Sequence, residues 1–201
     1  QDQLTSTHPI ATDMVDIETV KANFDGITYA KGASVLQQLV AHVGRENFIS
    51  GLKTYFAKHA YKNTMLDDLL SELEKTSGRK LAPWVETWLQ TAGVNTLRPV
   101  LKLNGENYEL VSIKQESPNI PAGSKELRPH RMAVGLYDLS GDRLKLRKSV
   151  ELDVSGELTN VAELSGEKVA DLLLINDRDL SYGKIRFDER SIATLKKNLG
   201  K

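Results

Sequence analysis

The sequence predicts an α+β protein in two parts, a helical part followed by a small antiparallel β-sandwich. Apolar residues recur at helical spacing up to about Leu97, and after Arg98-Pro99 the period changes to two. Several short strands separated by regular turn signals are typical of a sandwich. From about Asp188 the pattern turns helical again, with Ile192 and Leu195 spaced by three.

The first two helices are predicted from single apolar faces. Val35, Leu39 and Val43 lie on one face of a helix that begins near Lys31, and Gly44 follows as a plausible stop. The next face consists of Phe48, Ile49, Leu52, Tyr55 and Phe56.

Two further helices are predicted from their end signals. Asn63-Thr64 offers an N-cap ahead of a leucine-rich face, with Asp67 in the first turn. Pro83 is placed at a natural helix start before Trp84 and Trp88, which we interpret as core residues. Gly93 is well placed to end that helix.

The strands are predicted from alternation and from turn dipeptides. Asn104-Gly105 is a strong hairpin signal, because both residues tolerate positive φ. Met132, Val134 and Leu136 share one face of a strand, and 172–175 is an apolar run expected of a strand covered on both faces. Further turns are indicated by Ser140-Gly141, Ser155-Gly156 and Ser165-Gly166.

Composition excludes several classes of protein. Hydrophobic residues make up 40% and charged residues 27% of the 201 residues, as in ordinary globular proteins. The 27 basic and 27 acidic side chains balance, so the basic excess of a nucleic-acid-binding protein is missing. No apolar run is long enough to cross a bilayer, and we expect neither nucleic acid nor membrane as a partner. With no cysteine, disulfides and thiolate metal sites are excluded.

The chain contains no complete catalytic motif. Its four histidines are never four residues apart, so the H-E-x-x-H zinc motif is missing, and we interpret them as surface or capping residues: His8, His42, His59 and His130. Ser34 lies in a near match to G-x-S-x-G, but Leu36 replaces the closing glycine. We read 176–179 as a surface turn and 128–131 as a solvated strand edge.

One segment nevertheless resembles a known family. Residues 24–36, with Tyr29-Ala30-Lys31-Gly32 at their centre, resemble the catalytic-tyrosine segment of the gluzincin zinc aminopeptidases, bacterial aminopeptidase N type. An ordered set of further matches runs along the chain: 6–10, which includes His8-Pro9, then 44–48, 55–63, 84–94, 128–131, 135–138 and 174–177.

This resemblance implies a division into domains. Residues 1–97 correspond to the helical C-terminal portion of a thermolysin-like catalytic domain, 98–187 to the β-sandwich, and 188–201 to the start of a truncated helical domain. The family's H-E-x-x-H, its distant glutamate ligand and its Gly-x-Met-Glu-Asn segment all precede this region. The resemblance therefore implies an interior fragment of a zinc enzyme, with no zinc of its own and no activity alone.

Tyr29 is the catalytic residue that the resemblance implies. A phenol has a reference pKa of about 10, so it stays a hydrogen-bond donor near neutral pH. Aimed at the oxygen that becomes negative during peptide hydrolysis, it would stabilise the transition state. We expect Asp25 to cap the turn that presents Tyr29, Gly32 to ease entry into the helix, and Lys31 to face solvent or pair locally.

The expected partners are peptide substrates and the remainder of the same polypeptide. Exposed apolar surface would also favour self-association, and we assign the protein to the cytoplasm. Two alternatives stay open. One is a non-catalytic interaction module that offers sandwich edges to a partner strand. The other is a metal-independent hydrolase in which His8 would have to lie within hydrogen-bond reach of Tyr29.

Overall fold

The computed structural model describes residues 1–198 and has an α+β architecture, as predicted. Its helical part contains α1 (Ile17–Ala22), a π-helical turn (Ile27–Lys31), α2 (Gly32–Val43), α3 (Arg45–His59), α4 (Leu66–Ser77) and α5 (Ala82–Leu89). The strands are β1 (Thr96–Asn104), β2 (Asn107–Glu116), β3 (His130–Ser140), β4 (Arg143–Val154), β5 (Leu158–Asn160), β6 (Leu172–Asp177) and β7 (Lys184–Ile185). A last helix, α6 (Glu189–Asn198), follows.

The domain boundaries are not fixed by these elements. The helical part ends with α5 at Leu89 and the strands begin at Thr96, so the boundary after residue 97 stays a prediction. The predicted terminal segment 188–201 is described only as far as Asn198, and residues 199–201 lie outside the described residues. Each helix within 1–198 is too short or too polar to cross a lipid bilayer.

The helical part has its own core, built from the apolar faces that the sequence shows. The buried residues come mainly from α2, α4 and α5, and they are Val35, Leu39, Val43, Leu70, Leu73, Leu81, Trp84 and Trp88. Gly44 ends α2 with φ 86°, as predicted. The tryptophans are core residues, as predicted.

Several helix boundaries were predicted wrongly. The N-cap of α4 is Met65 rather than Asn63-Thr64, and its backbone N–H donates to the Asp68 carboxylate at 2.8 Å. Gly93 does not end α5, because that helix stops at Leu89. Instead Gly93 has φ 84° and lies against the 117–129 loop, where a side chain would meet the backbone of Ile120. Neither α1, which buries no residue, nor the π-helical turn was predicted.

The strands form two sheets that share one core. Their orders are β5-β2-β1-β7 and β4-β3-β6, and every pair is antiparallel except β1 with β7. The core takes side chains from both sheets, including Val111 and Ile113 from β2 and Met132 and Val134 from β3, so the sheets pack as a sandwich. The predicted hairpin is present, but its turn lies one residue later, at Gly105-Glu106, because Asn104 pairs with Asn107 and only Gly105 has positive φ, at 60°.

Polar contacts join the helical part to the sandwich. Helix α2 packs against β3, and the backbone carbonyl of Pro129 accepts hydrogen bonds from Gln38 Nε2 at 2.9 Å and Trp88 Nε1 at 2.8 Å. Gln38 and Trp88 are both buried. The helix that follows Tyr29 is therefore fixed directly to the start of the central strand.

The prediction that residues 128–131 form a solvated strand edge is wrong, because Arg128 and His130 are both buried. The Arg128 guanidinium lies over the Trp88 ring, 5.5 Å from its centroid. It donates hydrogen bonds of 2.6–2.9 Å to acceptors at and beyond the end of α5: Thr87, Thr91, Ala92 and Asn95. One of these acceptors, the Thr87 carbonyl, belongs to the last turn of α5, where carbonyls lack a partner within the helix.

His130 is also not the surface or capping residue that we predicted. Its Nδ1 lies 2.6 Å from Ser181 Oγ and its Nε2 lies 2.9 Å from Gln115 Oε1. Burial, with the nearby Arg128 charge, lowers the pKa of His130 to about 3. The imidazole is therefore a neutral part of the junction between the two parts. Residues Asn176 and Asp177 are also buried, so the predicted surface turn at 176–179 begins inside the protein.

Candidate catalytic tyrosine and its surroundings

Tyr29 lies in the middle of the π-helical turn that leads into α2. The Gly32 N–H donates to the Ile27 carbonyl, five residues back, which is the hydrogen bond that defines this rare turn. Ile27 is buried, whereas the Tyr29 side chain is 58% exposed. Its ring packs against Phe24 with the ring centroids 5.6 Å apart. Because Tyr29 is exposed, its phenol is accessible to a ligand.

Asp25 caps the turn that presents Tyr29, as predicted. Its Oδ1 accepts hydrogen bonds from the backbone N–H groups of Ile27 at 2.9 Å and Thr28 at 3.0 Å. Its backbone carbonyl accepts from the Tyr29 N–H at 3.1 Å. Desolvation raises the pKa of the Asp25 carboxyl, but the hydrogen bonds from Thr28, His8 and Ile27 outweigh it and lower the pKa to about 2. Asp25 is therefore a carboxylate over the physiological range.

His8 holds the other oxygen of the Asp25 carboxylate. The distance from His8 Nε2 to Asp25 Oδ2 is 2.7 Å, and Gln1 Nε2 donates to the same oxygen at 2.6 Å. The second ring nitrogen, Nδ1, lies 2.7 Å from the Pro9 carbonyl oxygen. Desolvation lowers the pKa of His8, but the bonds to Asp25 and Pro9 and the Asp25 charge outweigh it, so the pKa is raised.

Lys31, two residues after Tyr29, is buried, so the prediction that it faces solvent or pairs locally is wrong. Its Nζ forms an ion pair with Asp2 Oδ2 at 2.9 Å and donates to the Gly93 carbonyl at 3.1 Å. It also lies over the Tyr182 ring, 5.6 Å from the centroid. A buried ammonium needs such partners, because leaving it unpaired costs several kcal/mol (about 3 to 5).

The carboxylate of Asp2 connects these groups. It accepts hydrogen bonds from Thr7 Oγ1 at 2.6 Å, Tyr182 Oη at 3.0 Å and the Gly93 N–H at 3.1 Å. Desolvation raises its pKa, but the Thr7 bond and the Lys31 charge outweigh that effect, so the pKa of Asp2 is lowered. Burial and the Asp2 charge raise the pKa of Tyr182, and burial lowers that of Lys31. Asp2 and Lys31 thus fix the turn at its second end.

The described residues do not provide a zinc site. Among residues 1–198, three or more histidine, aspartate or glutamate side chains are nowhere grouped so that they could hold a metal ion. His8 and Asp25 form only a pair, and both nitrogens of His8 already lie against oxygen acceptors. Zinc in proteins takes three or four such ligands, so these residues do not fit it.

The remaining histidines and Ser34 supply no catalytic group beside Tyr29. His42 lies near the end of α2 and contacts Arg79, and His59 ends α3 beside Tyr55. The Ser34 hydroxyl donates to the Ala30 carbonyl at 3.1 Å, as a small residue inside a helix does. His8 is bonded to Asp25 and Pro9 rather than to Tyr29, so the metal-independent hydrolase lacks its required contact in the described residues.

Asp2 is the residue of this region that the sequence did not reveal. It lies 29 positions before Lys31, and no spacing rule joins two residues so far apart. The available signal was spacing, since Lys31 lies four residues after Ile27 and four before Val35, and both of these belong to the core. This spacing indicates that Lys31 needs a buried partner, but it does not identify that partner.

Residues 1–88, which include Tyr29, match the model of the peptidase family M1 domain. Over its whole length the chain is 54% identical to aminopeptidase N of Streptomyces lividans. It is 29% identical over 98% of its length to aminopeptidase M1-B of Oryza sativa subsp. japonica, and 28% identical over its whole length to tricorn protease-interacting factor F2 of Thermoplasma acidophilum. The chain belongs to peptidase family M1 and is of the aminopeptidase N type.

The chain corresponds to only part of these relatives. It spans 24% of the Streptomyces protein, 22% of the rice protein and 23% of the Thermoplasma protein. All three alignments cover nearly the whole chain, so they include both the helical part and the sandwich.

Proposed function

We propose that the chain is part of a zinc-dependent aminopeptidase that removes N-terminal residues from peptides, and that Tyr29 stabilises the oxyanion of that reaction. The observation that carries the proposal is the exposed Tyr29 hydroxyl on a turn fixed at both ends. Membership in family M1 and the names of the relatives support the peptidase activity.

The chemistry of this role follows from the phenol. When a nucleophile adds to a peptide carbonyl, the oxygen acquires negative charge, and a donor already in place stabilises it without reorganisation. Asp25 and Lys31 keep the turn in place from the two sides of Tyr29. The phenol would donate its proton in a hydrogen bond and would not transfer it.

Zinc would be held by residues outside this chain, because the described residues have no suitable cluster. We therefore expect the chain alone to bind no catalytic zinc and to hydrolyse no peptide. We assign the whole protein to the cytoplasm. Apolar side chains near Tyr29, such as Phe24 and Leu36, are exposed and favour contact with the remainder of the polypeptide or self-association.

The decisive experiment is Tyr29→Phe in the protein at the full length of its relatives. Loss of one oxyanion donor should lower kcat by about 100- to 1000-fold, or about 3 to 4 kcal/mol, with zinc content unchanged. Tyr61→Phe is the matched control, because Tyr61 is a fully exposed tyrosine, and its turnover should equal that of the wild type. Near-normal turnover of Tyr29→Phe would refute the proposed role.

The inactivity of the chain alone is tested separately. Purified chain should contain no stoichiometric zinc in metal analysis and should release no product from aminoacyl substrates. Light scattering during gel filtration should show self-association. Stoichiometric zinc would contradict the proposal that the zinc ligands lie outside this chain. A monomer at high concentration would contradict the proposal that the exposed apolar side chains form a contact surface.

The alternative function is a non-catalytic interaction module that pairs a partner strand with a sandwich edge. The longest edge strand is β4, which is bonded to β3 alone. Its first half carries Arg143, Lys145, Arg147 and Lys148, and charges of this kind protect an edge against further pairing. The geometry therefore supports the aminopeptidase proposal better.

A further inference from the structure

Side chains from the first eight residues bind the turn that carries Tyr29 on both sides of the tyrosine. Four residues before Tyr29, Asp25 is bound by Gln1 and His8. Two residues after Tyr29, Lys31 is bound by Asp2. We call His8 and Asp25 the upstream anchor. Its two side chains are 22% and 15% exposed, so it lies close enough to the surface to exchange protons with solvent.

The contacts of His8 define its protonation state. Nε2 faces a carboxylate oxygen and Nδ1 faces a carbonyl oxygen, and neither of these acceptors can donate a proton. Both nitrogens must therefore carry a proton for both contacts to be hydrogen bonds, which makes the ring an imidazolium. A neutral ring would turn one of the two contacts into a repulsion between lone pairs.

The charged groups around His8 are consistent with this state. Asp25 supplies the negative charge and raises the pKa of His8. Lys31 opposes the imidazolium, but Asp2 is paired with the Lys31 charge. Because the pKa is raised above the reference value of about 6.5, the charged upstream anchor is complete below that pH and weakens as pH rises through the His8 pKa in the folded protein.

We propose that His8, in its imidazolium form, is a positioning residue for the Tyr29 phenol, acting through the Asp25 carboxylate that caps the turn. The proposal rests on the proposed function of Tyr29. It assigns to His8 no contact with substrate. It makes the alignment of the phenol depend on whether His8 is charged.

The first test is structural and does not depend on activity. In the protein at the full length of its relatives, His8→Gln should speed hydrogen exchange of the backbone amides in residues 24–32 by about tenfold, because a charge-assisted hydrogen bond to the cap is lost. His8→Arg, which keeps the positive charge, should retain most of the protection. His59→Gln is the control and should leave this segment unchanged. Unchanged exchange in His8→Gln overturns the proposal.

The second test separates positioning from general stability. His8→Gln should lower kcat by about 10- to 100-fold with KM nearly unchanged, since a small misplacement of a catalytic group has this effect. In a Tyr29→Phe background the same change should cost no further activity, because His8 acts only through Tyr29. In the wild type, kcat should fall as pH rises through the His8 pKa, because the imidazolium is lost. In His8→Arg, which stays charged, this fall should disappear. An equal loss in both backgrounds overturns the proposal.

The two proposals fail in different ways. If Tyr29→Phe retains turnover, the proposed role of Tyr29 fails, and the positioning of a catalytic phenol by His8 fails with it. If Tyr29→Phe is inactive while His8→Gln alters neither exchange nor kcat, the positioning role of His8 alone fails.

Discussion

Asp2 and Lys31 form an ion pair of 2.9 Å although both side chains are more than nine-tenths buried. The pair lies beneath the Tyr29 turn, and the backbone of Gly93 closes it by accepting from Lys31 and donating to Asp2. A charged pair this deep is stable only because each charge has several hydrogen-bond partners. Removing either partner should therefore be far more damaging than removing a surface pair.

Asp2→Asn should lower the free energy of unfolding by about 3 to 5 kcal/mol, because the Lys31 charge is left without compensation. Urea denaturation measures this loss. Glu109→Gln is the control, since it removes the exposed pair between Lys102 and Glu109 and should cost less than about 1 kcal/mol. Similar losses in the two variants would show that burial does not determine the strength of these pairs.

Gly93 and Gly105 provide a matched pair for backbone strain. Both have positive φ, but a Cβ would meet Ile120 and Pro118 at position 93 and nothing within 4 Å at position 105. Gly105→Ala should cost about 1 to 2 kcal/mol for the left-handed backbone alone. Gly93→Ala should cost about 1 to 3 kcal/mol more, because the loop must also move. Thermal unfolding of both variants compares them, and equal costs would argue against close packing at Gly93.

Arg128→Lys should be much more destabilising than Arg131→Lys. Arg128 uses its whole guanidinium fork to bind four acceptors near the end of α5, and an ammonium cannot reproduce that geometry. We expect a loss of about 3 kcal/mol or more, as for breaking a buried charged network. Arg131 binds Glu151 and Asp153 near the surface and should lose less than about 1 kcal/mol. The unfolding free energies from urea titrations decide between these outcomes.

His130 should make the protein less stable in mild acid. The folded protein keeps this imidazole neutral with a pKa of about 3, whereas the unfolded chain binds a proton near pH 6.5. The unfolded state therefore binds more protons between those values, and stability falls as pH drops through that window, by at most about 1.4 kcal/mol per unit. His130→Gln should show a shallower slope between pH 6.5 and 4. The same slope in both proteins would contradict a neutral buried His130.

Local patterns predicted the parts of the fold that local interactions determine. The apolar spacing of α2, its end at Gly44 and the hairpin between β1 and β2 were predicted correctly, although the turn of the hairpin lies one residue later than predicted. Helix α1 was missed because its six residues are too few to show an apolar period. The π-helical turn was missed because its one extra residue leaves no periodic signal in five residues.

Long-range contacts account for the errors at the polar residues. Lys31, Arg128 and His130 each read as surface residues, because isolated charged or imidazole side chains usually are exposed. Each is buried by partners from a distant part of the sequence, such as Asp2 for Lys31. Tyr29 was predicted to be catalytic only because the segment around it resembles a known motif. The local sequence pattern does not distinguish a catalytic tyrosine from other exposed aromatic residues. Its catalytic role stays a prediction.

The carbonyl of Pro129 joins the two parts through Gln38 and Trp88. Because this junction excludes water, separating the parts would strand an amide and an indole without partners, in addition to exposing apolar surface. The helices and the sandwich should consequently melt in a single calorimetric transition. A protein expressed only as far as the end of α5 would lack the acceptor for both groups and should behave as an incompletely folded species.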